Sequence, residues 1–191
     1  MSGPSRSAPF VAALLLAVAP TGPAASAVSA QNVLVVYHSV TDHTRLMAEA
    51  VADGAREVRG ADVRVLPVDG VATDDLVWAD ALVLGGPVRS ANVSAEVAGF
   101  LATLPFDGGM KEKVGAAFST GGGISAGEEL ALVATLHAML MYGMIVVGGP
   151  DWTSAFGASA VTGEAPFTDP SGGVRVAPAF LDKARALGRR V

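Results

Sequence analysis

Val33-Leu34-Val35-Val36-Tyr37-His38-Ser39-Val40-Thr41-Asp42-His43-Thr44 joins an apolar, β-branched run to a short hydroxyl-rich loop. A helical pattern follows at once: Met47, Val51, Ala55 and Val58 recur at spacings of three and four, one face of a helix. Ser39–Thr44 therefore sits where a buried parallel strand hands over to a helix. There, free backbone N–H groups and the positive end of the helix dipole converge. An anion suits such a point. The hydroxyls of Ser39, Thr41 and Thr44 are candidate donors around a phosphate, with Val40, Asp42 and His43 completing the loop and His43 a further candidate donor. Taken alone, the six residues also read as an ordinary strand-to-helix turn with a threonine cap.

The rest of the chain repeats this alternation. Ala61–Val68 alternates apolar and polar residues, as a strand near a sheet edge does. Thr73-Asp74-Asp75 caps a short helix through Trp78. Asp80–Gly86 is continuously apolar after Asp80 and reads as a central strand, followed by the loop Pro87-Val88-Arg89-Ser90-Ala91-Asn92. A helix with Val93, Val97, Phe100, Leu101 and Leu104 on one face comes next. Lys113–Ser119 is a fourth strand running into Thr120-Gly121-Gly122-Gly123. Glu128–Tyr142 reads as a helix apolar nearly all round, hence well buried, with His137 a hydrogen-bonded core histidine. Met144–Gly148 is a fifth strand, Gly149–Gly173 is rich in turn formers, and a last helix spans about Val176–Arg189. Five strands alternating with helices specify an α/β three-layer sandwich around a parallel sheet. In the order 2-1-3-4-5 ligands bind outside the strand carboxyl ends, between the first and third strands. Three unusual loops meet there: Ser39–Thr44, Pro87–Asn92 and Ser119–Gly123.

These loops resemble those of the flavodoxin-like superfamily, and more closely the WrbA-type NAD(P)H:quinone oxidoreductases. Met47-Ala48-Glu49-Ala50-Val51-Ala52-Asp53-Gly54-Ala55 is similar to their Met-Ala-x-Ala-Val-Ala-x-Gly-Ala. Gly85-Gly86-Pro87-Val88-Arg89-Ser90-Ala91-Asn92-Val93-Ser94 resembles their Gly-Thr-Pro-Thr-Arg-Phe-Gly-Asn-Met-Ser, and Phe118-Ser119-Thr120-Gly121-Gly122-Gly123 their Phe-Ser-Ser-Thr-Gly-Thr-Gly-Gly-Gly. Tyr142–Val147 resembles their His-Gly-Met-Val-Ile-Val, and Phe156–Ser159 their Tyr-Gly-Ala-Thr. The resemblance implies a flavodoxin-like fold, FMN as cofactor, NAD(P)H as electron donor and a quinone or other small redox acceptor. It places the phosphate on Ser39, Val40, Thr41, Asp42, His43 and Thr44. The ring falls against Pro87, Val88, Arg89, Ser90 and Asn92 on one side and Ser119, Thr120, Gly121, Gly122 and Gly123 on the other. Glycines let amides approach a flat ring, and an arginine favours negative charge on reduced flavin. The chain departs from the family at Asp42, where Gly is usual, at Ser90, where an aromatic residue stands, and at Met141, which aligns with a flavin-contacting His. Two inserts that help build the family's tetramer are missing, although a homo-oligomer stays among the expected partners. No side chain is an obvious acid or base, so the catalytic residues are unknown. A non-enzymatic electron carrier and a flavin-free scaffold are the competing readings.

Composition bounds the surroundings. The apolar fraction is 51%, and part of it lies in residues 1–30, where Arg6 precedes an unbroken apolar run from Phe10 to Ala19 and then small residues. This is the pattern of a secretory signal peptide cut after Ala27 or Ala30, which makes the mature protein periplasmic or secreted and leaves residues 31–191 as one flavodoxin-like domain. The run is short for a bilayer span, so no stable membrane anchor is expected; an Ala/Pro-rich disordered tail is the alternative. With no cysteine, disulfides and thiolate chemistry are excluded. The formal charge of −5, with no basic cluster before Arg185, Arg189 and Arg190, argues against nucleic acid. N-terminal sequencing of exported protein is expected to begin at Val28 or Gln31; retention of Met1 would refute the leader.

Overall fold

The computed structural model describes residues 31–191, and the leader expected over residues 1–30 lies outside the described residues. Parallel strands β1 (Gln31–Tyr37), β2 (Ala61–Pro67), β3 (Ala81–Pro87) and β4 (Val114–Gly121) lie in the order β2-β1-β3-β4. Their side chains alternate between two faces. Val33, Val35 and Val83 point toward helices α1 (His43–Arg56) and α5 (Pro178–Arg190). Leu34, Val36, Leu82 and Leu84 point toward α2 (Thr73–Trp78), α3 (Ala95–Thr103) and α4 (Glu128–Met141). β1 and β3 are buried on both faces, which is why they read as continuous apolar runs. β2, at the edge, alternates. The sheet therefore has the flavodoxin-like order read from the sequence.

Three features correct that reading. The fifth strand is two strands: β5 (Ile145–Val146) pairs with Val114 and Gly115 at the start of β4, and β6 (Ala158–Val161) with Phe118–Gly121 at its end. The sheet so has six strands. Residues 147–157 leave it between them, and β6 restarts at Gly157, whose φ of 130° and contact with the Ala117 carbonyl admit no side chain. Second, α4 is not buried all round: Leu130, Leu140 and Met141 are exposed, and so is His137, which is no core histidine. Third, Val58 falls beyond the end of α1 and is exposed, while Met47, Val51 and Ala55 form its buried face. Within Thr73-Asp74-Asp75, the residue that caps the start of α2 is Asp75. Its carboxylate accepts the Ala72 amide at 3.0 Å, a bond that, with the Arg64 partner, holds it below the usual carboxylate range.

α1 and α5 cover the same face of the sheet and meet backbone to backbone. A Cβ at Gly54 would overlap the Arg185 carbonyl, and one at Gly188 the Val51 carbonyl. Gly188→Ala is expected to cost about 2 kcal/mol through overpacking, read as a lower urea midpoint at unchanged slope. Gly99→Ala on α3, where a Cβ meets nothing within 4 Å, is expected to raise the midpoint through helix propensity.

Candidate functional site

The first loop leaves β1 at His38, whose amide still bonds Gly85 O at 3.0 Å, and enters α1 through Asp42 in the left-handed conformation (φ 62°, ψ −9°). That conformation explains why glycine is usual there. The amides of Val40, Thr41, Asp42, His43 and Thr44 have no acceptor among the described residues. They are the orphan donors of a helix N-terminus, concentrated by the tight loop. The hydroxyls expected to join them have partners within the chain, and Ser39, which accepts, keeps its O–H free to donate. Ser39 Oγ accepts the Arg45 amide at 3.3 Å, Thr41 Oγ1 pairs with His43 Nδ1 at 2.9 Å, and Thr44 Oγ1 pairs with Thr120 Oγ1 at 2.7 Å in the buried interior. The Asp42 carboxylate is exposed and paired with Arg45 at 3.0 Å, and Arg45 also bonds Glu49 at 2.6 Å. Asp42 thus has a cation of its own, and its charge is directed along the outside of α1.

The second loop is a two-residue hairpin. Arg89 and Asn92 exchange backbone bonds at 2.8 and 2.9 Å, with Ser90 (φ 48°) and Ala91 (φ 57°) between them, both left-handed. This is a type I′ turn built without the Asn-Gly it prefers. Two residues with a Cβ are thereby held in strained backbone at the site. Pro87 ends β3, the Val88 amide bonds Thr120 O at 2.8 Å, and Arg89, Ser90 and Asn92 are exposed. Arg89 lies near Glu96 on α3. Glu96 is held below the usual carboxylate range first by its own amide at the helix start, then by His38, Ser94 and Arg89. Ser94 is buried and caps α3 by accepting the Val97 amide.

In the third loop, Ser119, Thr120 and Gly121 belong to β4, and the turn proper begins at Gly122. The glycines differ in purpose. A Cβ at Gly121 would overlap the Glu128 carboxyl, and one at Gly123 would lie 2.9 Å from Glu164 Oε2; one at Gly122 meets nothing within 4 Å. Glu164 accepts the Ile124 amide at 2.7 Å, and Thr162 bonds Gly121 O, so the β6 end holds the loop from outside. Glu128 and Glu164 escaped the sequence reading; the acidic pair Glu128-Glu129 at the start of the helix after the glycine run was the available signal for the first. The three loops are joined: the first to the third by Thr44 and Thr120, the second to the third by Val88 and Thr120 and by Ala91 against Gly127. Met141 is not among them. It ends the 14-residue α4, about 20 Å from the loops gathered at the helix start, and is exposed.

Sheet order and anion-ready loop define a flavodoxin-like protein. The profile of the NADPH-dependent FMN reductase family matches residues 70–159. A NAD(P)H dehydrogenase (quinone) of Afipia carboxidovorans is 32% identical over 188 residues, covering 84% of this chain and 94% of that protein. A flavodoxin of Aquifex aeolicus is 37% identical over 123 residues, covering 63% of this chain and 66% of its own length. Among solved structures, a flavodoxin, WrbA-like protein from Agrobacterium tumefaciens shares the fold at a TM-score of 0.68 and 24% identity, over 85% of this chain and 95% of that one. The chain belongs to the NAD(P)H dehydrogenase (quinone) family of oxidoreductases.

The buried Thr44–Thr120 bond gives the site its stiffness. Thr44→Val strands the Thr120 hydroxyl and is expected to cost about 1–3 kcal/mol by urea unfolding, whereas Thr44→Val with Thr120→Val should cost less than the two single changes added.

Proposed function

We propose that the protein is an exported FMN-dependent NAD(P)H:quinone-type oxidoreductase. The observation that carries the cofactor is the group of orphan amides from Val40 to Thr44 at the start of α1, set between the two other loops. These amides would hold the phosphate, as charge-assisted bonds to neutral donors. The hairpin around Ser90 and the open face of Gly122 would receive the ring from two sides, and the backbone about Gly122 leaves room for it. The fit extends to charge, because Asp42 is turned to Arg45 and to solvent. Bound FMN supplies two-electron redox chemistry between a nicotinamide donor and a quinone-like acceptor. The chain's own part is to position the cofactor and fix its electrostatic surroundings. The reading of residues 1–30 as a leader supports export, and the missing family inserts leave a homo-oligomer as a separate question for sizing in solution.

Similarity to a flavodoxin favours one rival, an electron carrier without steady-state turnover. NAD(P)H oxidation with benzoquinone by the FMN-loaded protein is the expected result, and its absence would leave the carrier reading in place. The phosphate site has its own measurement, the pair of dissociation constants for FMN and riboflavin. FMN is expected to bind more tightly by several kcal/mol, at roughly 1.5–3 kcal/mol for each charged-acceptor bond. Asp42→Gly is expected to leave this preference within twofold, since the carboxylate it removes faces Arg45. Equal affinity for the two flavins in the native chain would show that the loop is not a phosphate site.

A further inference from the structure

The reading above leaves the Glu128 carboxyl unused. Glu128 opens α4 and is 6% exposed, and its Oε1 is sealed from solvent with no hydrogen-bond partner among the described residues. A buried carboxyl without a donor is costly, and donors close by serve other acceptors. The Ser119 hydroxyl donates to the Glu128 backbone carbonyl at 3.4 Å, and the Ile124 amide donates to Glu164. Nor is the carboxyl pushed into place by a crowded surface. The absent side chain of Gly121 makes the room that it fills, directly behind the backbone of the third loop. The loop thus has one carboxyl bound at its outer side, Glu164, and one lodged beneath it. Glu128 stands in the first turn of α4, where the helix dipole favours negative charge.

We propose that Glu128 sets the reduction potential of the flavin carried by this loop. Reduction adds electron density to the ring, and a carboxylate lodged against Gly121, its Oε1 out of solvent, opposes it more strongly than a charge in water would. The native residue thereby lowers the potential and keeps the bound cofactor ready to pass its electrons on. Glu128 acts through space on the cofactor and touches neither donor nor acceptor, so it is a tuning residue rather than a catalytic one. The inference rests on the FMN reading.

The test is the two-electron midpoint potential of the FMN-loaded full chain at pH 7, by equilibration with a reference dye, for the native protein, E128Q and E129Q. E128Q is expected to favour reduced over oxidised FMN by about tenfold, an upward shift of about 30 mV. Glu129 is exposed, so E129Q removes the same charge in solvent and is expected to change that ratio less than threefold. E128M keeps the volume with no polar atom to strand; it is expected to move as E128Q does, and decides the matter if the Gln amide unsettles the loop. An unchanged midpoint in the folded variant, or an equal shift in E129Q, overturns the proposal while leaving FMN binding intact. A native chain that takes up no FMN removes the functional reading and this proposal together.

Discussion

One buried hydrogen bond, Thr44 Oγ1 to Thr120 Oγ1 at 2.7 Å, ties the start of α1 to the end of β4 across the intervening strand β3. Both residues are almost wholly buried, so neither hydroxyl has water to turn to, and each satisfies the other. The consequence reaches the surface. With the start of α1 anchored from below, the loop above enters the helix within a few residues of β1, through Asp42 in the left-handed conformation. Thr120 also accepts the Val88 amide on its carbonyl, so a single residue fixes the first, second and third loops relative to one another. The row of free amides thus rests on core polarity beneath it as much as on the hydroxyl-rich surface that first draws the eye.

That distinction marks how far the sequence could be read. Apolar continuity in Val33–Val36 and Leu82–Leu84 told buried central strands from the alternating edge strand Ala61–Pro67, because burial on one face or two is written directly into the pattern. The split fifth strand was hidden for the same reason in reverse. β6 is four residues, Ala-Ser-Ala-Val, set among Gly and Pro, with too little apolar area to stand out from a turn-rich stretch. Its strand identity comes from a neighbour, since β4 runs on past Phe118 and presents unpaired backbone to it. α4 was misjudged because composition says how apolar a helix is and not which side finds a partner. Leu130, Leu140, Met141 and His137 share the side that lacks one.

At the site, topology placed the loops correctly, since every strand must end at the same edge in a parallel sheet. The individual roles were not legible. A hydroxyl in a strand-to-helix loop serves equally as helix cap, core pair or ligand donor, and only the third dimension separates Ser39, Thr44 and Thr41 into caps and pairs. The glycine run was read as one device for approaching a ring. In the structure its members differ in surroundings: Gly121 lies against the Glu128 carboxyl, Gly123 against Glu164, and Gly122 alone is open. The tight turn at Ser90-Ala91 was equally invisible, since neither residue is a turn former of that type.

The charge around the first loop is largely paired within the chain. Arg45 is the cation next to the loop, and it is committed to Asp42 and Glu49, whose hydrogen bonds raise its already high pKa. His38 faces Glu96 at 3.5 Å, and Arg89 also lies near that carboxylate. Arg45 and Arg89 therefore have carboxylates beside them before any anion arrives. What the loop would offer a phosphate is chiefly its backbone: neutral donors, assisted by the dipole of a 14-residue helix. Exposed ion pairs are worth little and fade with salt, whereas preorganised amides at a helix start lose no side-chain freedom when they bind. A site of this kind selects for the geometry of a phosphate rather than for negative charge at large, which suits a protein whose own net charge is negative.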